Sequence, residues 1–335
     1  MLLRYLQTGD PDTGLRGYDG TAENFPINTT IQYNVFRELG IYQKQSSAVG
    51  QAKAAMTTIR HNIMFNMPRA AINFNDMLGG GDVVEKNLIF NTCRESGDHG
   101  PINTWDRQAF LTTLRDGVTP SFDPMVRVIR NNFIFANYGA SQGVDNDDGS
   151  SWHHISHNVF YWADGFKMDY GGHDSVFEDN LVLSIPYDGA NCFNMAGFLP
   201  GHGDKLRRNI CVVGLGNRQT GSGCGDPSCA SPNPIDDDEK LEVVGWSSGC
   251  NESIVTMEHN QYFTPKGQAK ANCGSTVYSL EELQEKFGLD LGSTWSSIPD
   301  DEQIMVDWAK SILFPSPGEA REVSLEEDGM LVTIE

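Results

Sequence analysis

An asparagine that returns at a fixed place in a short motif constrains this chain more than any other feature. An apolar residue, two polar ones, asparagine and two or three apolar residues recur in seven places. They are IQYNVF around Asn34, IRHNIMF around Asn62, VEKNLIF around Asn87, IRNNFIF around Asn132, ISHNVFY around Asn158, FEDNLVL around Asn180 and LRRNICV around Asn209. The steps are 28, 25, 45, 26, 22 and 29 residues, so most units are one short repeat long and the step of 45 holds an insertion. A second apolar strand follows in most units, commonly after glycine or alanine: GIYQKQ at 40, AAINFND at 70, GPINTWD at 100, GVDNDDG at 143 and GFKMDYG at 165. Short strands joined by tight turns at this period predict an all-β chain, a right-handed parallel β-helix solenoid, with stacked asparagines bonding from coil to coil. A propeller would need blades nearer 40 residues and a leucine-rich repeat a leucine-spaced consensus.

The rest of the chain is placed around this repeat. Coils are expected over 1–213, with an insertion near 105–125. A cysteine-containing loop region and a last coil follow over 214–275, and a short helical C-terminal cap and tail over 276–335. In the cap, Ser279 and Glu282 form a capping box for SLEELQEKF, and Ile304, Trp308 and Ile312 share one face of a second helix. Both helices are expected to close the open end of the stack. The repeat starts close to the N-terminus, as expected if a further portion precedes it. The opening MLLRYLQTGDPD lacks the apolar core of a signal peptide.

Charge limits the partners. With 45 acids against 24 lysines and arginines the formal charge is −21, which disfavours nucleic acid and anionic membranes. No apolar run approaches the roughly 20 residues of a membrane span. Cys224, Cys229, Cys250 and Cys273 lie late and are expected to pair as disulfides of a secreted protein. Cys93, Cys192 and Cys211 are dispersed, which leaves an odd thiol. Asn28-Thr-Thr and Asn251-Glu-Ser are glycosylation acceptor patterns consistent with secretion.

The chemistry concentrates in QGVDNDDGS, where Asp145, Asp147 and Asp148 fall within four residues. On a strand, Asp145 and Asp147 project on one face. Aligning the second strands gives two outward columns: Tyr42, Asn73, Asn103, Asp145 and Lys167, beside Lys44, Asn75, Trp105, Asp147 and Asp169. Acids and amides that bind hydroxyls, next to an aromatic that stacks on a ring face, describe a sugar site. One coil earlier, RESGDHG and Trp105-Asp106-Arg107 add Glu95, Asp98 and Asp106 as carboxylates, His99 as a proton carrier and Arg107 as an anion or hydroxyl ligand. Arg69, after Pro68, and His173, in GGHDS, could flank the site. Carboxyls about 5 to 5.5 Å apart would imply retaining hydrolysis and a wider gap inversion.

RESGDHGPINTWDR, GVDNDDGSSW and the repeated coils resemble the β-helix proteins of glycoside hydrolase family 141, which includes fucosidase- and xylanase-type enzymes. The resemblance spans roughly 30–209. It implies a carbohydrate-cleaving enzyme with Asp106 and one of Asp147 or Asp148 as catalytic carboxylates, and with Asp98 in the glycine-rich turn. The leading expectation is a secreted glycosidase acting on a polysaccharide or oligosaccharide without a cofactor. The three clustered aspartates also have the donors for a structural calcium. A polysaccharide lyase or epimerase on the same scaffold would need a base and a cation for a uronate, for which Lys44, Lys167 and His99 are available. The third reading is a non-catalytic glycan-binding β-helix.

Overall fold

The computed structural model describes residues 26–52, 54–75, 80–105, 125–137, 141–147, 149–169, 172–184, 192–196, 202–214, 244–246 and 255–315. Three sheets wind around one core, and in each the neighbouring strands come from successive turns of the chain. The first runs from Thr30–Gln32 to Val255–Glu258, the second from Val35–Arg37 to Thr294–Ser297. In the third, parallel pairing extends from Val49–Ala52 to Lys270–Cys273, and Thr276–Ser279 then adds an antiparallel edge. The predicted parallel solenoid is therefore present, with far more residues in strands than in the two helices among the described residues.

The repeat motif marks the corner between the first and second sheets. Each ladder asparagine is preceded by a non-glycine residue in the left-handed region: Tyr33, His61, Lys86, Asn131, His157, Asp179, Arg208 and His259, all with φ between 52° and 59°. That conformation costs roughly 1–2 kcal/mol per residue, so something must hold it. The following asparagine does. Asn62 donates its backbone N–H and its Nδ2 to Asn87 Oδ1 at 3.0 and 3.1 Å, and Asn87 repeats this on Asn132 Oδ1 at 3.0 and 3.0 Å. The pattern continues through Asn158, Asn180 and Asn209 to Asn260, where Ser293 and Asp290 end it.

Between the corners, alternate side chains point inward and stack. Ile59, Val84, Ile129, Ile155, Phe177 and Leu206 line one wall, while Met64, Ile89, Ile134, Phe160, Val182 and Cys211 line the next. Glycine is needed where the chain enters the third sheet. A Cβ on Gly100 would lie 2.1 Å from Gln142 O, one on Gly143 2.4 Å from Phe160 Cδ1 and one on Gly165 2.2 Å from Cys192 O.

Two expectations are corrected, and the cysteines are placed in part. The third sheet begins at Val49–Ala52 and not at GIYQKQ, whose Ile41 and Tyr42 are exposed beside the left-handed Gly40. Helix Leu280–Phe287, with its Ser279–Glu282 capping box, buries Leu280 and Leu283 in the main core. Helix Glu302–Leu313 instead lies along the flank, with Trp308 and Ile312 packed against Val159, Leu181 and Phe263 on the outer side of the second sheet. Cys192 is bonded to Cys211, because the inward stack and the entry to the third sheet meet in the interior. Cys273 is disulfide-bonded, Cys93 is a buried free thiol, and Cys224, Cys229 and Cys250 lie outside the described residues. Among the described residues no helix is long and apolar enough to cross a membrane.

An ion cluster around the buried Glu178 bears on acid stability. Glu178 accepts from His154 Nε2 at 2.8 Å, Arg207 Nε at 2.5 Å and Arg208 Nη2 at 2.8 Å. Burial alone would raise its pKa, but the bonds from His154 and Arg207 outweigh it and hold the carboxyl well below the usual range. The folded pKa is thus depressed, so the stability it confers is complete above the ordinary glutamate value and lost as pH falls below it. Glu178→Gln is expected to cost about 1–2 kcal/mol at pH 7, since Arg207 and Arg208 are a third or more exposed and water can solvate what they lose. It should also flatten the fall of the urea midpoint between pH 6 and pH 3. An unchanged slope would mean that Glu178 does not set the acid limb.

Candidate active site

The strand Val144–Asn146 carries the site. Val144 and Asn146 face inward, in register with Ile102 and Thr104, so Asp145 faces outward. Its outward column reads Gly50, Asn73, Asn103, Asp145, Lys167 and Asn194, with Gly50 in the place expected of Tyr42. The neighbouring column pairs Ala52, Asn75 and Trp105. Lys44 lies off it and is paired with Glu95 at 2.7 Å.

Asp147 and Asp169 sit just past their strands in equivalent turns. Ser150 N–H donates to Asp147 O and Gly172 N–H to Asp169 O, both at 3.0 Å, while Gly149 takes φ 75° and donates to Asp169 O at 2.9 Å. Asp147 N–H and Ser150 Oγ both donate to Thr104 O at 2.8 Å, which ties this turn to the coil below. Asp147 and Asp169 thus begin turns on successive coils, neighbours about one coil spacing, 4.8 Å, apart.

Lys167 gathers the acids. Its Nζ lies 2.9 Å from Asp145 Oδ1, 3.4 Å from Asp147 Oδ1 and 3.3 Å from Asp169 Oδ2. Burial would pull its ammonium down, but Asp145 and its companions reverse this and hold the pKa above the ordinary lysine value. Lys167 is therefore a fixed cation, unsuited to act as a base at neutral pH. Asn103 Nδ2 donates to Asp145 Oδ2 at 3.2 Å. Asn73 is 7%, Asn103 1% and Asp145 0% exposed, so this part of the outward column is a covered floor, and Asp147 and Asp169 are the acids of the cluster that reach solvent. Burial pushes the Asp145 carboxyl up to about 6 against the pull of Lys167.

Arg69 and His99 lie within electrostatic reach of these groups. Burial lowers the Arg69 guanidinium from its usual value, opposed by Cys93, Asp145, Asp147 and Asp98. Burial, reinforced by Arg69, also lowers the His99 imidazole, whose Nδ1 meets Ser96 Oγ, so the ring is neutral at pH 7. Asp98 is exposed. Arg69 Nε, Asn73 Oδ1 and Asn75 Oδ1 are buried atoms with no hydrogen-bond partner among the described residues, one donor and two acceptors left open beside the acids. Asp106, Arg107 and Asp148 lie outside the described residues. His173 stands at the next corner, bonded to Asp174 and close to His202, a residue that sequence reasoning did not select. The GHGD stretch around His202 was the available signal, but only the register brings it to GGHDS.

No family model matches the chain and no curated protein matches it, so the likeness to glycoside hydrolase family 141 stays a resemblance. Among solved structures, the crystal structure of an alginate lyase from Paenibacillus sp. str. FPU-7 aligns with 71% of this chain and 83% of its own, at 13% identity and a TM-score of 0.38. At that level the chemistry must be argued from the residues themselves.

Proposed function

We propose that this chain is a secreted carbohydrate-active enzyme that hydrolyses a glycosidic bond in a poly- or oligosaccharide, with Asp147 and Asp169 as the carboxylates that meet the substrate. The observation that carries this reading is the gathering of three carboxylates on one partly buried lysine, on an outward face where Asn75 and Trp105 are also partly exposed. Glycosidic cleavage needs two carboxyl groups, one to give a proton and one to accept a proton or attack, and the stacked turns bring Asp147 and Asp169 to the same lysine. Amides bind hydroxyls, and an indole beside them stacks on a sugar face. The Cys192–Cys211 bond supports secretion. Asp106 and Asp148 remain partners to test on the strength of the family resemblance.

A second reading, β-elimination from a uronate polymer, rests on Arg69 and His99. A neutral imidazole would serve as the base, and a guanidinium with an unpartnered Nε would neutralise the uronate. A panel of plant and algal polysaccharides and aryl glycosides separates the two. Hydrolysis releases reducing ends without ultraviolet absorbance, elimination leaves an unsaturated absorbing end, and release from no substrate would turn the proposal towards glycan binding.

A further inference from the structure

Just beyond the acidic face, the corner leading from the third sheet to the first holds a group that the proposed hydrolysis does not use. Pairing of Val176 with Lys205 sets His173 over His202 and Asp174 over Gly203 on successive coils, and the two imidazole centroids lie 4.1 Å apart. Between them Asp174, in the left-handed region at φ 54°, turns its carboxylate inward to the pair. His173 Nδ1 and His202 Nδ1 each lie 2.6 Å from the same atom, Asp174 Oδ2. The donor atoms of the three residues all fall within 4.8 Å of one another.

We infer that His173, Asp174 and His202 form a binding site for a divalent transition-metal ion such as zinc. Two imidazole nitrogens and one carboxylate oxygen are the donors that borderline ions prefer, whereas calcium takes an all-oxygen set. Two rings aimed at a single oxygen is a convergence that hydrogen bonding alone does not require, since a carboxylate has a second oxygen to offer. Asp174 Oδ1 instead faces the Gly203 N–H at 3.5 Å. Binding through Nδ1 needs only that each neutral ring carry its proton on Nε2. The His202 side chain is 38% exposed, which gives an ion a route in and leaves room for water as a further ligand. The place matters because the ligands come from two coils. An ion here would fasten them together at the end of the Asp169 turn, whose carbonyl is held by Gly172 N–H, the residue before His173.

Titration calorimetry of the whole metal-stripped protein with zinc chloride tests the site, alongside thermal melting with and without zinc and the visible spectrum with cobalt(II). Wild type should take up one zinc per chain with micromolar or tighter affinity, melt higher when loaded, and show cobalt bands. His202→Ala removes a partly exposed ring and should fold. Asp174→Asn keeps an acceptor and a residue type that tolerates the left-handed region. Each should weaken zinc binding at least tenfold and abolish the melting shift, with a circular dichroism spectrum like wild type. Calcium at the same concentration should shift nothing. Zinc bound weaker than millimolar, or equally well by both variants, would overturn the assignment and leave a hydrogen-bonded His–Asp–His cluster.

Discussion

Asp147→Asn is expected to lower kcat/KM for glycoside cleavage by about 10³-fold, within the range that general acid–base groups contribute. The replacement is nearly isosteric, and Lys167 keeps Asp145 at 2.9 Å and Asp169 at 3.3 Å, so the fold and the position of the cation should survive. The loss should therefore fall on kcat, because the missing group acts in the transition state more than in binding. Asp169→Asn should behave in the same way if the two stacked turns deliver the working pair. Lys167→Met should behave differently. It leaves three acids without their shared cation, so the Asp145 carboxyl beneath them, already up to about 6, rises further, which carboxyl-carbon NMR titration would read directly. Asp147→Asn retaining more than a tenth of wild-type activity would remove this carboxylate from the chemistry and return Asp106 and Asp148 to the lead. Elimination through His99 would leave Asp147→Asn active and silence His99→Ala.

The sequence disclosed the solenoid because one position, the ladder asparagine, is under a constraint that nothing else meets. It must sit after a strained left-handed residue, satisfy corner carbonyls and bond to its neighbours above and below. The site was legible to the same extent as the register. Asn103, Asp145 and Lys167 fell into one column because glycine at each strand entry is forced by close approach to the next coil. The alignment failed at Gly40, where glycine serves a left-handed turn instead and the apolar Ile41 that follows stays in solvent. Burial of the column was not legible, since outward residues of a solenoid are polar whether open or covered. Nor was the meeting of His173 with His202, which depends on how many residues the intervening turns consume. The apolar face of Glu302–Leu313 predicted a packed helix, but not whether it would close the end of the stack or lie along its side.

Asn158→Ala should be strongly destabilising, because it sits buried in the middle of the ladder. Asn158 Oδ1 accepts from Asn132 N–H at 2.9 Å and Asn132 Nδ2 at 3.0 Å. Its Nδ2 donates to Ile129 O at 2.9 Å, Ser156 O at 3.1 Å and Asn180 Oδ1 at 3.1 Å. Truncation leaves buried groups of two coils unsatisfied at once, at about 1–3 kcal/mol for each that finds no other partner, so a total of roughly 4 kcal/mol is expected. That is a large share of the about 5–15 kcal/mol by which proteins of this kind are stable, and urea denaturation would read it directly. Asn34→Ala supplies the contrast. Asn34 is exposed at the start of the ladder, donating to Gln32 O and to Asn62 Oδ1, and water can replace what it loses. Its loss should cost about 1 kcal/mol, near the net worth of a single hydrogen bond. A comparable cost at both positions would mean that each corner is stabilised by its own turn and not by the stack. A cost that grows from the open end towards Asn158 and Asn180 would mean that the ladder couples the coils, and that the turns presenting Asp147 and Asp169 inherit their rigidity from it.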